Sequence, residues 1–279
     1  MPELPEVEVI VQGLQKKITG RKIIDVKINL PKLIALGKKS FVKKLKGLII
    51  KNVHRRGKYI IIDLSKQQAL LIHLKMTGQL IIAKATDPLN PHAHFILTLS
   101  NALELRFHDT RQFGRIYLLD SRNVCNLKQL NMLGPEANRV SKQEFLKRLS
   151  KRKGRIKPLL LNQSFLAGLG NIYCDESLYS AGIHPLCLAY KISRGKQIKL
   201  HQAIQRILNS AIAHGGSSVE NYLDSQGKPG RYQKKHKVYR KTGRPCSVCR
   251  NPIQRIKIGG RSTHFCSFCQ KNAPLVFKR

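Results

Sequence analysis

Four cysteines near the C-terminal end carry the clearest chemistry in the chain. Cys246, Cys249, Cys266 and Cys269 are spaced C-x2-C-x16-C-x2-C. Each C-x-x-C turns two thiolates to one side, and two such knuckles close a tetrahedron around Zn²⁺. Four protein thiolates leave no position for water, so one structural zinc is expected, holding a module too small to fold alone. Four unmetallated thiols or two disulfides are the alternative. Between the knuckles lie Arg255, Lys257, Gly259, Gly260, Arg261 and Thr263. They predict a β-hairpin with a basic turn, suited to phosphates or a minor groove. Zinc ribbons also bind proteins, so this signal speaks for zinc more than for nucleic acid.

The opening residues Met1-Pro2-Glu3-Leu4-Pro5-Glu6 hold a second kind of chemistry. Removal of Met1 exposes a secondary amine at Pro2. An α-amino group has a pKa of about 7.7–8.0, so a neutral fraction exists near pH 7. A neutral amine can attack an electrophilic sugar carbon and form an iminium, as a Schiff-base lysine does. Glu3 stands next to it as a proton source. On spacing alone these residues read equally as helix initiation, with proline in the first turn and acids at the positive dipole end.

These groups need elements to hold them. Val7, Ile10, Val11, Leu14 and Ile18 recur at helical spacing and predict an amphipathic first helix. Ile24, Val26, Ile28 and Leu30 then alternate. Strand-like runs follow at 46–53, 57–64, 69–75, 94–100, 103–107 and 115–119, which predicts a β-sandwich or barrel over roughly 1–130. From about 130 the pattern turns helical. Ser141 and Glu144 form a capping-box pattern, one helix is expected from Asn171 to Ala181, and another from about Lys196 to His214 with Gly215 as its cap. Residues 215–235 read as a long loop, and 236–279 as the cysteine module.

Composition narrows the partner. Lys and Arg total 52 against 15 Asp and Glu, a net charge of +37. Such an excess points to a polyanion, since each cation placed on a phosphate releases a counterion; a solvated cationic surface is the plainer account. Seven cysteines, an odd number, argue against a closed disulfide framework and for a reducing cytosol. The acidic N-terminus does not read as a signal peptide, and apolar runs such as 59–62 and 69–72 are far short of a membrane span. A soluble cytoplasmic protein is expected.

Taken in order, M-P-E-L-P-E, H-R-R-G-K-Y (54–59), H-L-K-M-T-G (73–78), D-T-R-Q-F-G (109–114), G-L-G-N-I-Y (168–173), G-K-P-G (227–230) and the four cysteines resemble bacterial formamidopyrimidine-DNA glycosylase. The match spans essentially the full chain. It implies an α+β multidomain fold: an N-terminal β-sandwich (1–130), a helix–two-turn–helix domain with a lesion-capping loop (131–235) and a zinc-finger β-hairpin (236–279), with DNA between the halves. It implies a monomer acting on nucleoid DNA that contains oxidised purines, needing zinc but no organic cofactor.

The resemblance also implies residue roles. Pro2 is the nucleophile on the sugar, Glu3 the proton donor, and Lys58 a lysine contacting DNA near the lesion and assisting catalysis. Met76, Arg111 and Phe113 fill the space left by the flipped base, with Arg111 on the orphaned cytosine. Read alone, Met76 is a core residue at a strand end and Phe113 ordinary packing. Asn171 and Arg261 grip the phosphates flanking the lesion with Lys58, while Lys157 lies near the damaged base and His92 contacts DNA. Glu176 orients its region. Thr110 and Gln112 depart from the family pattern, which bears on opposite-base preference and not on the chemistry. Two competitors remain: an endonuclease VIII-like enzyme for oxidised pyrimidines, disfavoured by Leu4 and the G-K-P-G loop, and a non-catalytic zinc-ribbon DNA binder, disfavoured by Pro2, Glu3 and Lys58 together.

Overall fold

The computed structural model describes residues 1–35, 37–124 and 127–271. The chain divides into two compact units, Met1–Met132 with Ala211–Gln233, and Leu133–Ser210 with Lys234–Arg279. The loop expected to cap a lesion thus belongs with the N-terminal elements, and the cysteine module with the helices. Cys125 lies outside the described residues.

The first unit opens with α1 (Leu4–Ile18), β1 (Ile23–Ile28) and α2 (Lys38–Leu45). Seven strands follow: β2 (Ile50–Arg56), β3 (Tyr59–Leu64), β4 (Gln68–His73), β5 (Gln79–Lys84), β6 (Ala93–Leu99), β7 (Leu103–His108) and β8 (Arg115–Asp120), then the short α3 (Lys128–Asn131). They form two four-stranded antiparallel sheets, ordered β1-β6-β7-β5 and β2-β3-β4-β8. The apolar stripe of α1 (Val7, Ile10, Val11, Leu14, Ile18) joins inward residues of both sheets, Ile60, Ile62, Phe95 and Phe107 among them, in one core. This is the expected sandwich.

Three details depart from the sequence reading. Ile24 does not share a face with Val26 and Ile28; it is exposed while Ile23 is buried. A register shift between Ile23 and Asp25 inserts an extra residue and turns the side-chain parity over. The second is β5, where only Leu80 is buried, so no alternation marks it. The third is α2, whose two buried side chains, Phe41 and Leu45, are hidden among lysines.

The second unit holds α4 (Lys142–Ser150), α5 (Ile156–Leu161), α6 (Asn171–Ser180) and most of α7 (Arg194–Ala213), with β9 (Gln254–Ile258) and β10 (Arg261–Phe265). Ser141 caps α4 as expected, its Oγ accepting the Glu144 N–H at 3.1 Å. Gly182 (φ +62°) and Gly215 (φ +74°) take the left-handed conformation just past α6 and α7.

Candidate active site and nucleic-acid interface

In the first unit, Pro2 and Glu3 are buried immediately ahead of α1. Glu3 is the N-cap, and its N–H donates to Glu6 Oε2 at 2.8 Å. The helix-initiation reading holds, with Glu3 and Glu6 forming a capping box. Glu6 does more than cap. Its Oε1 accepts the Ser217 N–H at 2.8 Å, and its carbonyl accepts the Tyr222 hydroxyl at 3.4 Å. The loop after α7 is thereby tied to the turn that carries Pro2. A Cβ on Gly13 would lie 2.0 Å from Ser225 Oγ, and one on Gly230 would lie 2.2 Å from Gly216 O. Gly13 makes room for the Ser225 side chain, whereas Gly230 is required because another backbone passes too close for a side chain. Sequence reasoning passed over Glu6, although a Glu three residues after the cap is a recognised signal.

Lys58 sits in the two-residue turn of the β2–β3 hairpin, after Gly57 (φ +57°), and is only 6% exposed. The hairpin is held to α1 by the half-buried Arg55–Glu8 pair at 2.8 Å, and Arg55 Nη1 also donates to Gly57 O at 2.9 Å. So α1 positions Pro2, Glu3 and the Lys58 turn from one rigid element. His73, on β4 beside Tyr59 in the same sheet, is pushed down to about 3 by burial first, then by the charges of Lys75 and Lys58. It is neutral at working pH, and its Nδ1 accepts the Lys75 N–H at 3.0 Å.

Met76 and Phe113 are 41% and 49% exposed, which overturns their reading as packing residues. Arg111 links them. Its Nη1 donates to Met76 Sδ at 3.2 Å, and its guanidinium lies 5.1 Å from the Phe113 ring centre. A thioether, an aromatic ring and a guanidinium are thus presented to solvent as one cluster. Beside it, a cleft of about 300 Å³ is lined by Thr77, His92, His108, Glu220 and Asn221, among others. His92 is half-buried there, stacked edge-on to His94. Both ring nitrogens of His108 are buried without a hydrogen-bond partner among the described residues.

In the second unit, one sequence expectation needs correcting. Lys157 is fully buried, and its Nζ donates to Asp175 Oδ1 at 2.6 Å, Thr263 Oγ1 at 2.9 Å and Ser262 O at 3.1 Å. All three ammonium hydrogens are engaged, so none is left for a damaged base. Asp175 completes the clamp by accepting the His264 N–H at 2.9 Å. Lys157 therefore fixes the β-hairpin to α5 and α6. Asn171 is the first residue of α6, while Gly170 is its N-cap, and Asn171 Nδ2 donates to Ser262 O at 2.9 Å. Arg261 starts β10 after Gly259 and Gly260 (φ +53° and +75°) and is exposed. Two consecutive positive-φ residues make the tight turn of a two-residue hairpin. Glu176 is buried and accepts the backbone N–H groups of Lys237, Val238 and Tyr239 at 2.8–3.1 Å, so it does orient its region.

The four cysteine sulfurs lie within 4.8 Å of one another, with Cys246–Cys269 at 3.8 Å and Cys249–Cys266 at 3.4 Å. Tetrahedral Zn–S bonds of about 2.3 Å require sulfurs about 3.8 Å apart. Backbone N–H groups of Val248 and Cys269 point at the sulfurs of Cys246 and Cys266, as in zinc knuckles. The donor set fits one structural zinc and leaves no open position.

Comparison with known proteins agrees with this geometry. Residues 1–116 match the formamidopyrimidine-DNA glycosylase N-terminal domain, 133–222 the H2TH domain of that glycosylase, and 243–272 a zinc finger found in the same enzymes and in IleRS. A formamidopyrimidine-DNA glycosylase of Desulforamulus reducens is 44% identical over 97% of this chain and 99% of its own length. This chain belongs to the formamidopyrimidine-DNA glycosylase family. A second member, from Pelotomaculum thermopropionicum, is 43% identical over 97% of this chain and 99% of its own. Among solved members, a point mutant of the Lactococcus lactis enzyme bound to Fapy-dG DNA superposes with a TM-score of 0.91 at 38% identity, covering 97% of this chain and 100% of that one. The wild-type Lactococcus enzyme, in complex with DNA carrying an oxidised pyrimidine, gives 0.90 at 37% identity, with the same coverage.

Proposed function

We propose that this chain is a bifunctional base-excision-repair glycosylase that removes oxidised purines from duplex DNA and then cuts the abasic strand. The observation that carries this reading is the Pro2–Glu3 turn, buried at the head of α1 on the same element that anchors the Lys58 hairpin. Once Met1 is removed, the Pro2 nitrogen is a secondary amine. Its lone pair forms a bond to the sugar C1′ of the flipped nucleotide, the C1′–base bond breaks with its electron pair leaving on the base, and the proton shed by the Pro2 nitrogen neutralises the departing base. Glu3 protonates the ring oxygen, the ring opens, and an iminium results. The iminium acidifies the neighbouring C2′ proton. Its loss expels the 3′ phosphate, a second elimination expels the 5′ phosphate, and water hydrolyses the remaining iminium, which frees Pro2, releases the sugar fragment and leaves a one-nucleotide gap. Lys58 assists at the lesion and His92 binds DNA.

A base within a duplex is out of reach of Pro2 and must be extruded. Met76, Arg111 and Phe113 take its place in the stack, with Arg111 on the orphaned base. The loop carrying Ser217 covers the extruded base with backbone N–H groups. Asn171 and Arg261 bind backbone phosphates, and Lys157 acts through the hairpin it fixes. Zinc held by Cys246, Cys249, Cys266 and Cys269 supplies folding energy to that hairpin. The protein works as a monomer in the cytoplasm on nucleoid DNA.

The test is borohydride trapping. Protein whose free Pro2 has been verified by mass spectrometry is incubated with an oxidised-guanine duplex. A covalent adduct is expected, and none in protein that retains Met1, whose Pro2 nitrogen is an amide. Binding without any adduct would leave only a DNA binder. A parallel incubation with a thymine glycol duplex decides between purine and pyrimidine preference.

A further inference from the structure

Met76 and the Arg111–Phe113 pair come from two different connections. Residues 74–78 lead from β4 in one sheet to β5 in the other, and 109–114 lead back from β7 to β8. Because β5 pairs with β7 and β4 with β8, the two crossovers run side by side at one corner of the sandwich. Gln79 faces His108 on one flank and His73 faces Arg115 on the other. Each crossover contains a non-glycine residue in the left-handed region, Lys75 (φ +56°) next to Met76 and Gln112 (φ +57°) between Arg111 and Phe113. Such conformations persist when surrounding bonds over-determine them.

Those bonds converge on Thr77 and Asp109. Asp109 is 1% exposed. Its Oδ2 accepts the Gly114 N–H at 2.7 Å and its Oδ1 accepts the Thr77 hydroxyl at 2.5 Å. Its carbonyl accepts the Gln112 N–H at 3.2 Å. Thr77 Oγ1 in turn accepts the Arg111 N–H at 3.1 Å. The chain of donors therefore runs from Arg111 N–H to the Thr77 hydroxyl to the Asp109 carboxylate. Arg111 is held by the Met76 crossover at both ends, through its backbone to Thr77 and through its guanidinium to Met76.

We infer that Thr77 is a positioning residue: with Asp109 it latches the two crossovers together and so presets the Met76–Arg111–Phe113 wedge for the base opposite the lesion. This rests on the void-filling role proposed above. Valine has the shape of threonine without its hydroxyl, and serine keeps the hydroxyl without the methyl. The measurement is the ratio of kcat/KM for oxidised guanine opposite cytosine to that opposite adenine. The ratio of abasic-site cleavage in duplex to that in single strand is measured alongside. Thr77→Val is expected to lower both ratios about tenfold, as befits loss of a bond to a charged group. Thr77→Ser is expected to hold both within about twofold of the parent by the same principle, because the bond survives. Thr77→Ala serves as the second hydroxyl-free variant if Val distorts the fold, as judged by thermal unfolding. Arg111→Ala separates the two failures. If Arg111→Ala leaves the opposite-base ratio intact, the void-filling reading falls and the latch with it. If Arg111→Ala lowers the ratio while Thr77→Val and Thr77→Ala do not, or if Ser behaves as Val, the latch alone is overturned.

Discussion

A lysine's charge says nothing about where the charge ends up. Lys157 sits in a basic stretch and resembles a residue near the damaged base, yet it is fully buried against Asp175, Ser262 and Thr263. Removing one partner of a buried ion pair leaves the other uncompensated, which costs roughly 3–5 kcal/mol. Lys157→Ala is therefore expected to destabilise the second unit by about that amount, a drop read by chemical denaturation. The double variant Lys157→Met with Asp175→Leu is expected to recover part of it. If Lys157→Ala instead kept full stability and lost only lesion recognition, a direct DNA contact would be restored as its role. Glu6 teaches the complementary point: in the sequence it reads as one more acid at a helix start, but its carboxylate spans Glu3 N–H and Ser217 N–H, 211 residues apart in the latter case.

At the scale of elements, the loop after α7 depends on two backbones passing without side chains. A Cβ on Gly230 would meet the carbonyl oxygens of Gly216 and Gly215 at 2.2 and 2.5 Å, atoms that cannot step aside as a side chain can. Gly230→Ala should open the base of this loop. Excision of an oxidised base is expected to fall relative to cleavage of a preformed abasic site, on which there is no base to cover; equal losses in both assays would argue against a capping role. The zinc hairpin is a second such element. With its core limited to Val238, Ile253 and two cysteines among the described residues, it has little apolar area of its own. Chelation should unfold β9 and β10 and release duplex DNA, and zinc should restore binding; a chelated protein that still bound with unchanged affinity would contradict this. Some elements were hidden in the sequence for a plain reason. β5 and α2 each bury too little for periodicity to show, and Ile24 belongs to a strand whose bulge reverses its parity.

For the whole molecule, protons and salt are the relevant variables. His73 is held down to about 3 and His236 to about 4, in both cases chiefly by burial. An unfolded histidine titrates near 6.5, so below that pH the unfolded chain binds protons that the folded chain refuses. The stability these sites contribute is whole above pH 6.5 and is lost as pH falls towards 4 and then 3. Thermal unfolding should show Tm dropping across that window, less steeply in His73→Gln. A flat profile between pH 6.5 and 4 would show that the imidazoles are not so confined. The net charge of +37 acts at longer range. Each phosphate contact adds about 0.9 to the slope of log K against log salt, so a slope above roughly 4 is expected on duplex DNA. A slope equivalent to one or two contacts would mean that most of the charge is merely solvated.

What the sequence determined by itself was the chemistry that depends on short covalent spacing. Two C-x-x-C knuckles dictate a tetrahedral thiolate site, and the order Met1-Pro2-Glu3 dictates which acid stands beside the second residue. The alternating runs narrowed the first 130 residues to a sandwich or a barrel, and the two separate sheets sharing one core decided for the sandwich. Tertiary structure alone decided which side chains spend their hydrogen bonds inside the protein: Lys157 on Asp175, Glu6 on Ser217, Thr77 on Asp109. Those pairings join strands, loops and helices far apart in the chain, and a hydrogen bond is set by an approach of about 3 Å that no local pattern encodes.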